Sequence, residues 1–158
     1  MQAALDLLAA DPGTPALVVV VYGTAQVAGS KKGYRIPGTN SVRITDDNKR
    51  SAPWKVQVAQ VAGDAMAGRP LLDGPLEVSF TFVRPRPKGH FGRNGLNAKG
   101  RRTPYPDVKP DVLKLARGVE DALTGVVWRD DAQIVRELLV KEYGEPERVV
   151  ITVRELAA

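Results

Sequence analysis

Three aspartates in the C-terminal third have the type and spacing to hold a hard cation: Asp111, directly after Lys109-Pro110, and the adjacent pair Asp130 and Asp131. A single Asp at a helix entrance has an ordinary use, since its charge complements the helix dipole and its oxygen accepts from free amides. Two adjacent Asp residues at the start of a strand are harder to account for in that way, because like charges repel and Asp is a poor strand former. A divalent cation resolves the conflict. Two or three carboxylates that leave coordination positions open hold Mg2+, with Mn2+ as the alternative; the ion activates water and offsets charge on a phosphate, as phosphodiester hydrolysis requires. A chain with one histidine and no cysteine is a poor zinc binder and also lacks a thiol nucleophile or disulfide framework.

Cations stand beside these acids. From Arg84 to Arg102 there are seven Lys or Arg and no acid: Arg84, Arg86, Lys88, Arg93, Lys99, Arg101 and Arg102. A second stretch carries Lys31, Lys32, Arg35, Arg43, Lys49 and Arg50 against Asp46 and Asp47, within a formal net charge of +5. Basic loops near a compact acidic group fit an enzyme that binds a polyanion and sets a metal ion against it; a solvated basic surface is the plainer alternative. The first set reads as phosphate contacts, with Lys31 and Lys32 as secondary ones. Phe91 either stacks at a distorted backbone or folds back onto the domain, and His90 is a phosphate contact or a bystander. Trp54 is expected in the core and Trp128 beneath the acidic pair.

The elements that must position these residues follow from periodicity. At 158 residues the chain holds one compact domain. Residues 1–15 read as a flexible extension, with a short helix over Met1–Leu8 at most, and 16–158 as the domain. Leu17–Tyr22 reads as a buried strand, 29–40 as a loop or loose hairpin, and Ser41–Thr45 as an edge strand. Trp54, Val58, Val61, Ala62, Ala65 and Met66 make one stripe of a helix over Ser51–Gly68 that Ser51 caps. Leu76, Val78, Phe80 and Phe82 alternate with polar residues in a half-buried strand that runs into the basic loop. A second helix spans Pro110–Thr124, with Gly125 as its left-handed cap, and strands follow at Ala132–Lys141 and Arg148–Arg154. The order implies an α+β domain, a mostly antiparallel mixed sheet with two helices packed on one face. The longest apolar run, Ala16–Tyr22, is too short for a membrane span, and the absence of a secretory leader points to the cytoplasm.

The stretch KPDVLKLARGVEDALTGVVWRDDAQI from Lys109 resembles the core motif of the RusA-type Holliday-junction resolvases. That motif runs Lys-Pro-Asp-x-Asp-Asn-Leu-x-Lys, then Asp-Ala-Leu-x-Gly, then an aromatic residue before Asp-Asp-x-Gln-Ile/Val. GTAQVAGSKKG, NKRSAPWKVQVAQVA and LDGPLEVSFTFVRPRP upstream resemble variants from actinobacterial phages. The resemblance implies a homodimer that binds four-way DNA junctions and nicks two strands symmetrically with magnesium. Asp111 matches the first catalytic aspartate, Asp131 the last and Asp130 its acidic neighbour. Arg117 falls where the family has a functional lysine, keeping the charge without the compact ammonium.

The chain departs from the motif at the second catalytic aspartate, which is Leu113, and at the next residue, which is Lys114. Leucine binds no metal. Glu120 lies seven residues after Leu113, within roughly 20° of its azimuth and two turns along. It can therefore supply a substitute carboxylate opposite Asp130 and Asp131, or simply pair with Arg117 or Lys114. Two outcomes stay open: an endodeoxyribonuclease whose metal site draws on Asp111, Asp130, Asp131 and Glu120 with Arg117 on the phosphate, or a junction-binding protein that cuts weakly or not at all. A basic RNA-binding domain with a structural acidic pair is a more distant third.

Overall fold

The computed structural model describes residues 17–29, 31–46 and 48–156. The expected N-terminal extension and its short helix lie outside the described residues. Strands β1 (Leu17–Tyr22), β4 (Leu76–Arg84), β7 (Ile134–Tyr143) and β8 (Arg148–Glu155) form a four-stranded sheet in the order β1-β8-β4-β7. β8 pairs antiparallel with both β1 and β4, whereas β4 and β7 are parallel. Two helices, α1 (Ser51–Met66) and α3 (Val112–Leu123), pack on this sheet and against each other. The α+β class and the mostly antiparallel mixed sheet are as expected.

The parallel β4–β7 pair determines where the acidic residues go. Parallel neighbours need a long crossover, and here residues 85–133 supply it, carrying the basic stretch, α3 and all the sequence-predicted acids. α3 returns antiparallel to β7. Its start lies by the end of that strand, where Lys141 Nζ donates to Val108 O at 2.8 Å and Pro110 O at 3.1 Å. Its end lies by the start of the strand, where Thr124 contacts Asp131.

The core is built from alternate strand residues and the helix stripes. Val19, Val21, Val78, Phe80, Phe82 and Ile151 meet Trp54, Val58 and Ala62 of α1 and Leu115, Val119 and Leu123 of α3 in one cluster. Burial of each large side chain is worth about 1.5–3 kcal/mol at most, which is what seats α3 on the sheet.

Several local expectations change. β1 is an edge strand with Val18 and Tyr22 exposed, not buried throughout. β4 is interior to the sheet, so Ser79 and Thr81 are buried together with their apolar neighbours. Ser51 is the first helical residue of α1, not its cap; its hydroxyl has no hydrogen-bond partner, and Arg50 occupies the cap position. β2 (Lys31–Arg35) and β3 (Val42–Asp46) pair only with each other, in a ribbon separate from the main sheet. The basic stretch is folded: a single 3-10 turn at Lys88–His90, strands β5 (Phe91–Gly92) and β6 (Gly95–Leu96), and helix α2 (Ala98–Arg102).

Candidate active site

Helix α3 carries one flank of the site because its opposite face is buried. Leu115, Ala116, Val119, Ala122 and Leu123 face the core, which turns Leu113, Arg117 and Glu120 to the other side. Gly118 lets the chain after β1 cross closely over the helix: a Cβ there would stand 2.8 Å from Gln26 O and 3.3 Å from Ala28 N, and Ala28 N donates to Lys114 O at 3.1 Å. Leu113 is 64% exposed and belongs to none of the buried core positions. Arg117 is exposed and forms no ion pair among the described residues. Asp121 points to the other helix, where Lys55 Nζ meets it at 2.6 Å.

The adjacent aspartates divide their work. Asp130 caps the 3-10 turn Asp131–Gln133: its Oδ1 accepts from Ala132 N at 2.8 Å, and Gln133 Oε1 accepts from Asp130 N at 3.0 Å. The Gln133 amide donates in turn to Leu72 O and Gly74 O, both at 3.0 Å. Asp130 therefore has the structural use of a capping box. Asp131 is oriented by one oxygen only. Its Oδ1 accepts from Trp128 Nε1 at 2.8 Å and from the Thr124 hydroxyl in a short contact. Trp128 itself is fully buried beneath it.

Across from this turn, Glu120 meets a residue that sequence reasoning passed over. Glu137, on β7, lies within hydrogen-bonding reach of the Glu120 carboxyl. Burial, that contact, and the charges of Glu137, Asp131 and Asp121 together push the Glu120 pKa from 4.5 up to about 8. Neither Arg117 nor Lys114 pairs with Glu120 among the described residues. A signal for Glu137 does exist: it alternates with Leu139, which packs against the core, so both lie on the helix-facing side of β7.

Asp111 stands elsewhere. It occupies the cap position of α3 without a side-chain cap bond, is exposed, and lies 3.6 Å from Lys114 Nζ. It lines an open cleft of about 360 Å³ with Val27, Lys109, Pro110 and Lys114. Nine residues of α3 separate it from Glu120, about 13 Å of rise at 1.5 Å per residue. Asp111 and Asp131 thus lie toward opposite ends of α3. Among the described residues no three acidic or histidine side chains already stand in a ligating arrangement; Glu120 has Glu137 against it and the charge of Asp131 nearby.

The basic residues also divide. Lys88, Arg93, Lys99, Arg101 and Arg102 are exposed on the folded arm formed by residues 87–103, and Arg84 is partly exposed where β4 leaves the sheet. Arg86 is structural. Its guanidinium donates to Gly100 O at 3.0 Å and Thr103 O at 2.8 Å and lies 4.2 Å from the centre of the Tyr143 ring. His90 is buried between Arg86, Thr103 and Tyr143, which removes it as a phosphate contact. Phe91 is half exposed on β5. The side chains of Lys31 and Lys32 lie outside the described residues.

A family model described as Endodeoxyribonuclease RusA matches residues 27–154, a span that holds every site residue above. The chain is also similar to a protein of Bacillus subtilis (strain 168) named Uncharacterized protein YqaN. The two are 32% identical over 141 residues, which cover 87% of this chain and 95% of that one.

Proposed function

Because the chain belongs to the RusA endodeoxyribonuclease family, whose members are Holliday-junction nucleases, we propose that it cuts branched DNA at a magnesium site centred on Glu120, Asp131 and Glu137. The observation that carries this reading is the Glu120 carboxyl, held against Glu137 beside Asp131 with no basic partner among the described residues and a pKa raised to about 8. All the donors are hard oxygens, so the residues present fit Mg2+ or Mn2+ rather than a softer ion. Magnesium bound there supplies Lewis-acid stabilisation and an activated water. Asp131 keeps its second oxygen for the site while Trp128 and Thr124 hold the first. Arg117, one turn from Glu120 and unpaired among the described residues, neutralises the scissile phosphate. The exposed cations of the arm grip the flanking phosphates, with Lys31, Lys32 and Arg84 as further contacts. Asp130 braces the turn that carries Asp131. A homodimer would present two such sites to the two strands of a twofold-symmetric junction.

Purified protein is expected to nick a synthetic four-way junction with magnesium and not with a chelator. Asp131→Asn keeps an acceptor for Trp128 and Thr124 but removes the charge, so it should lower cutting by about a hundred-fold or more while leaving junction affinity intact. Full activity in that variant would overturn the assignment. Leu113 supports a second reading, a junction binder without useful catalysis. Under that reading Leu113→Asp restores the family motif and brings a large gain in cutting, and calorimetry finds no magnesium binding to the unmodified chain.

A further inference from the structure

The ribbon formed by β2 and β3 belongs to neither the main sheet nor the core cluster. Its register pairs Gly33 with Ile44, Tyr34 with Arg43 and Arg35 with Val42. Residues directly opposite share a face. One face therefore carries Tyr34, Arg43 and, two residues on, Ile36; the other carries Arg35, Val42 and Ile44. Tyr34, Ile36, Val42 and Ile44 are each 40–64% exposed. A lone two-stranded hairpin is marginal in water, and apolar groups exposed on both of its sides mark it as a surface that something covers. Lys31, Lys32, Arg35 and Arg43 against Asp46 make the segment strongly cationic, so its complement is a polyanion.

We propose that this ribbon is a branch-point arm: it enters the gap between the arms of a DNA junction, with Tyr34 and Ile36 against one exposed base pair and Val42 and Ile44 against another. The inference rests on the branched-DNA reading above and adds the part of the chain that recognises the branch. Where arms meet, terminal base pairs show flat apolar faces that a continuous duplex keeps stacked. A ribbon that is apolar on both sides satisfies two such faces at once, as wedge side chains do at kinked steps. Each face also carries one guanidinium, Arg43 or Arg35, for the phosphates that crowd the branch. Linear duplex has no such gap, so the ribbon contributes selectivity for structure, while the basic arm at 88–102 contributes affinity for any duplex.

The test compares a four-way junction and a linear duplex by fluorescence anisotropy in a chelator, so that cutting does not intervene. A second measurement places 2-aminopurine beside the branch, where unstacking brightens it. The full chain should prefer the junction and brighten the probe. The variant Tyr34→Ala/Ile36→Ala should lose about ten-fold of junction affinity and the brightening, with linear-duplex affinity within about two-fold. Arg43→Gln, which leaves the apolar groups in place, should lower the salt dependence of junction binding by about one counterion. Variants that keep both the preference and the brightening overturn the arm. So does a variant that converts a dimer to monomer while brightening persists, since the ribbon would then be an interface between copies. If the unmodified chain shows no junction preference, the branched-DNA reading fails with it.

Discussion

One oxygen of Asp131 is committed to Trp128 and Thr124, and beside it burial and the neighbouring acids raise the Glu120 carboxyl well above its ordinary range. Glu120 titrates at 4.5 when unperturbed and at about 8 in the fold, so between those values the native chain holds a proton that the unfolded chain lacks. That contribution to stability is fully present below about 4.5 and lost as pH rises through about 8. A cation bound at the Glu120 carboxyl competes with that proton for the same oxygens. Thermal unfolding in a chelator should therefore show Tm falling across this interval, and Glu120→Gln should flatten the fall. Added magnesium should raise Tm more near pH 8 than near pH 6, where the proton must first be displaced. A Tm that Glu120→Gln leaves equally pH-dependent would mean that Glu120 does not hold that proton in solution.

The basic arm is held as an element by contacts that have no period. Arg86 ties Gly100 O and Thr103 O to Tyr143, and a Cβ on Gly100 would lie 2.3 Å from His90 O. Gly100→Ala should open the arm, with loss of amide exchange protection over residues 88–103. The strands β1, β4 and β8 should keep theirs, and DNA affinity should fall with the arm. Uniform loss of protection across the sheet would show that arm and core unfold as one unit. The same contrast explains what is legible in the chain. α3 declares itself through Val112, Leu115, Ala116, Val119, Ala122 and Leu123, because burial on one face imposes a 3.6-residue period. Asp130 and Gln133 stand at capping-box spacing, so the structural use of Asp130 is also readable. The arm is not, since it is held by single non-periodic contacts: the Arg86 guanidinium, the Asn97 side chain and the close approach of Gly100 to His90. Nor is Glu137: its side of β7 follows from alternation, but its position opposite Glu120 depends on β4 and β7 being parallel neighbours, a matter of topology rather than local pattern.

At the scale of the whole molecule, Asp111 raises a question that one chain does not answer. It is exposed, makes no side-chain cap bond and, among the described residues, has a loose contact with Lys114, yet it lies about 13 Å along α3 from Glu120. The Lys141 contacts to Val108 and Pro110 hold the loop that carries it at that distance. If Asp111 contributes to cutting, the cluster it joins is that of a second copy, and the dimer is then a requirement of chemistry as well as of symmetry. Subunit mixing decides this. Asp111→Asn and Asp131→Asn chains, each expected to be inactive alone, are unfolded together and refolded so that about half of the dimers are mixed. When the site is shared between copies, each mixed dimer has one site with both aspartates intact, and nicking of the junction returns while paired cutting does not. When the site lies within one chain, both sites of the mixed dimer are damaged and nothing returns. Recovery of nicking is the expected result. Asp111→Asn chains that cut normally on their own would instead confine the reaction to Glu120, Asp131 and Glu137 and leave Asp111 as a surface charge beside Lys114.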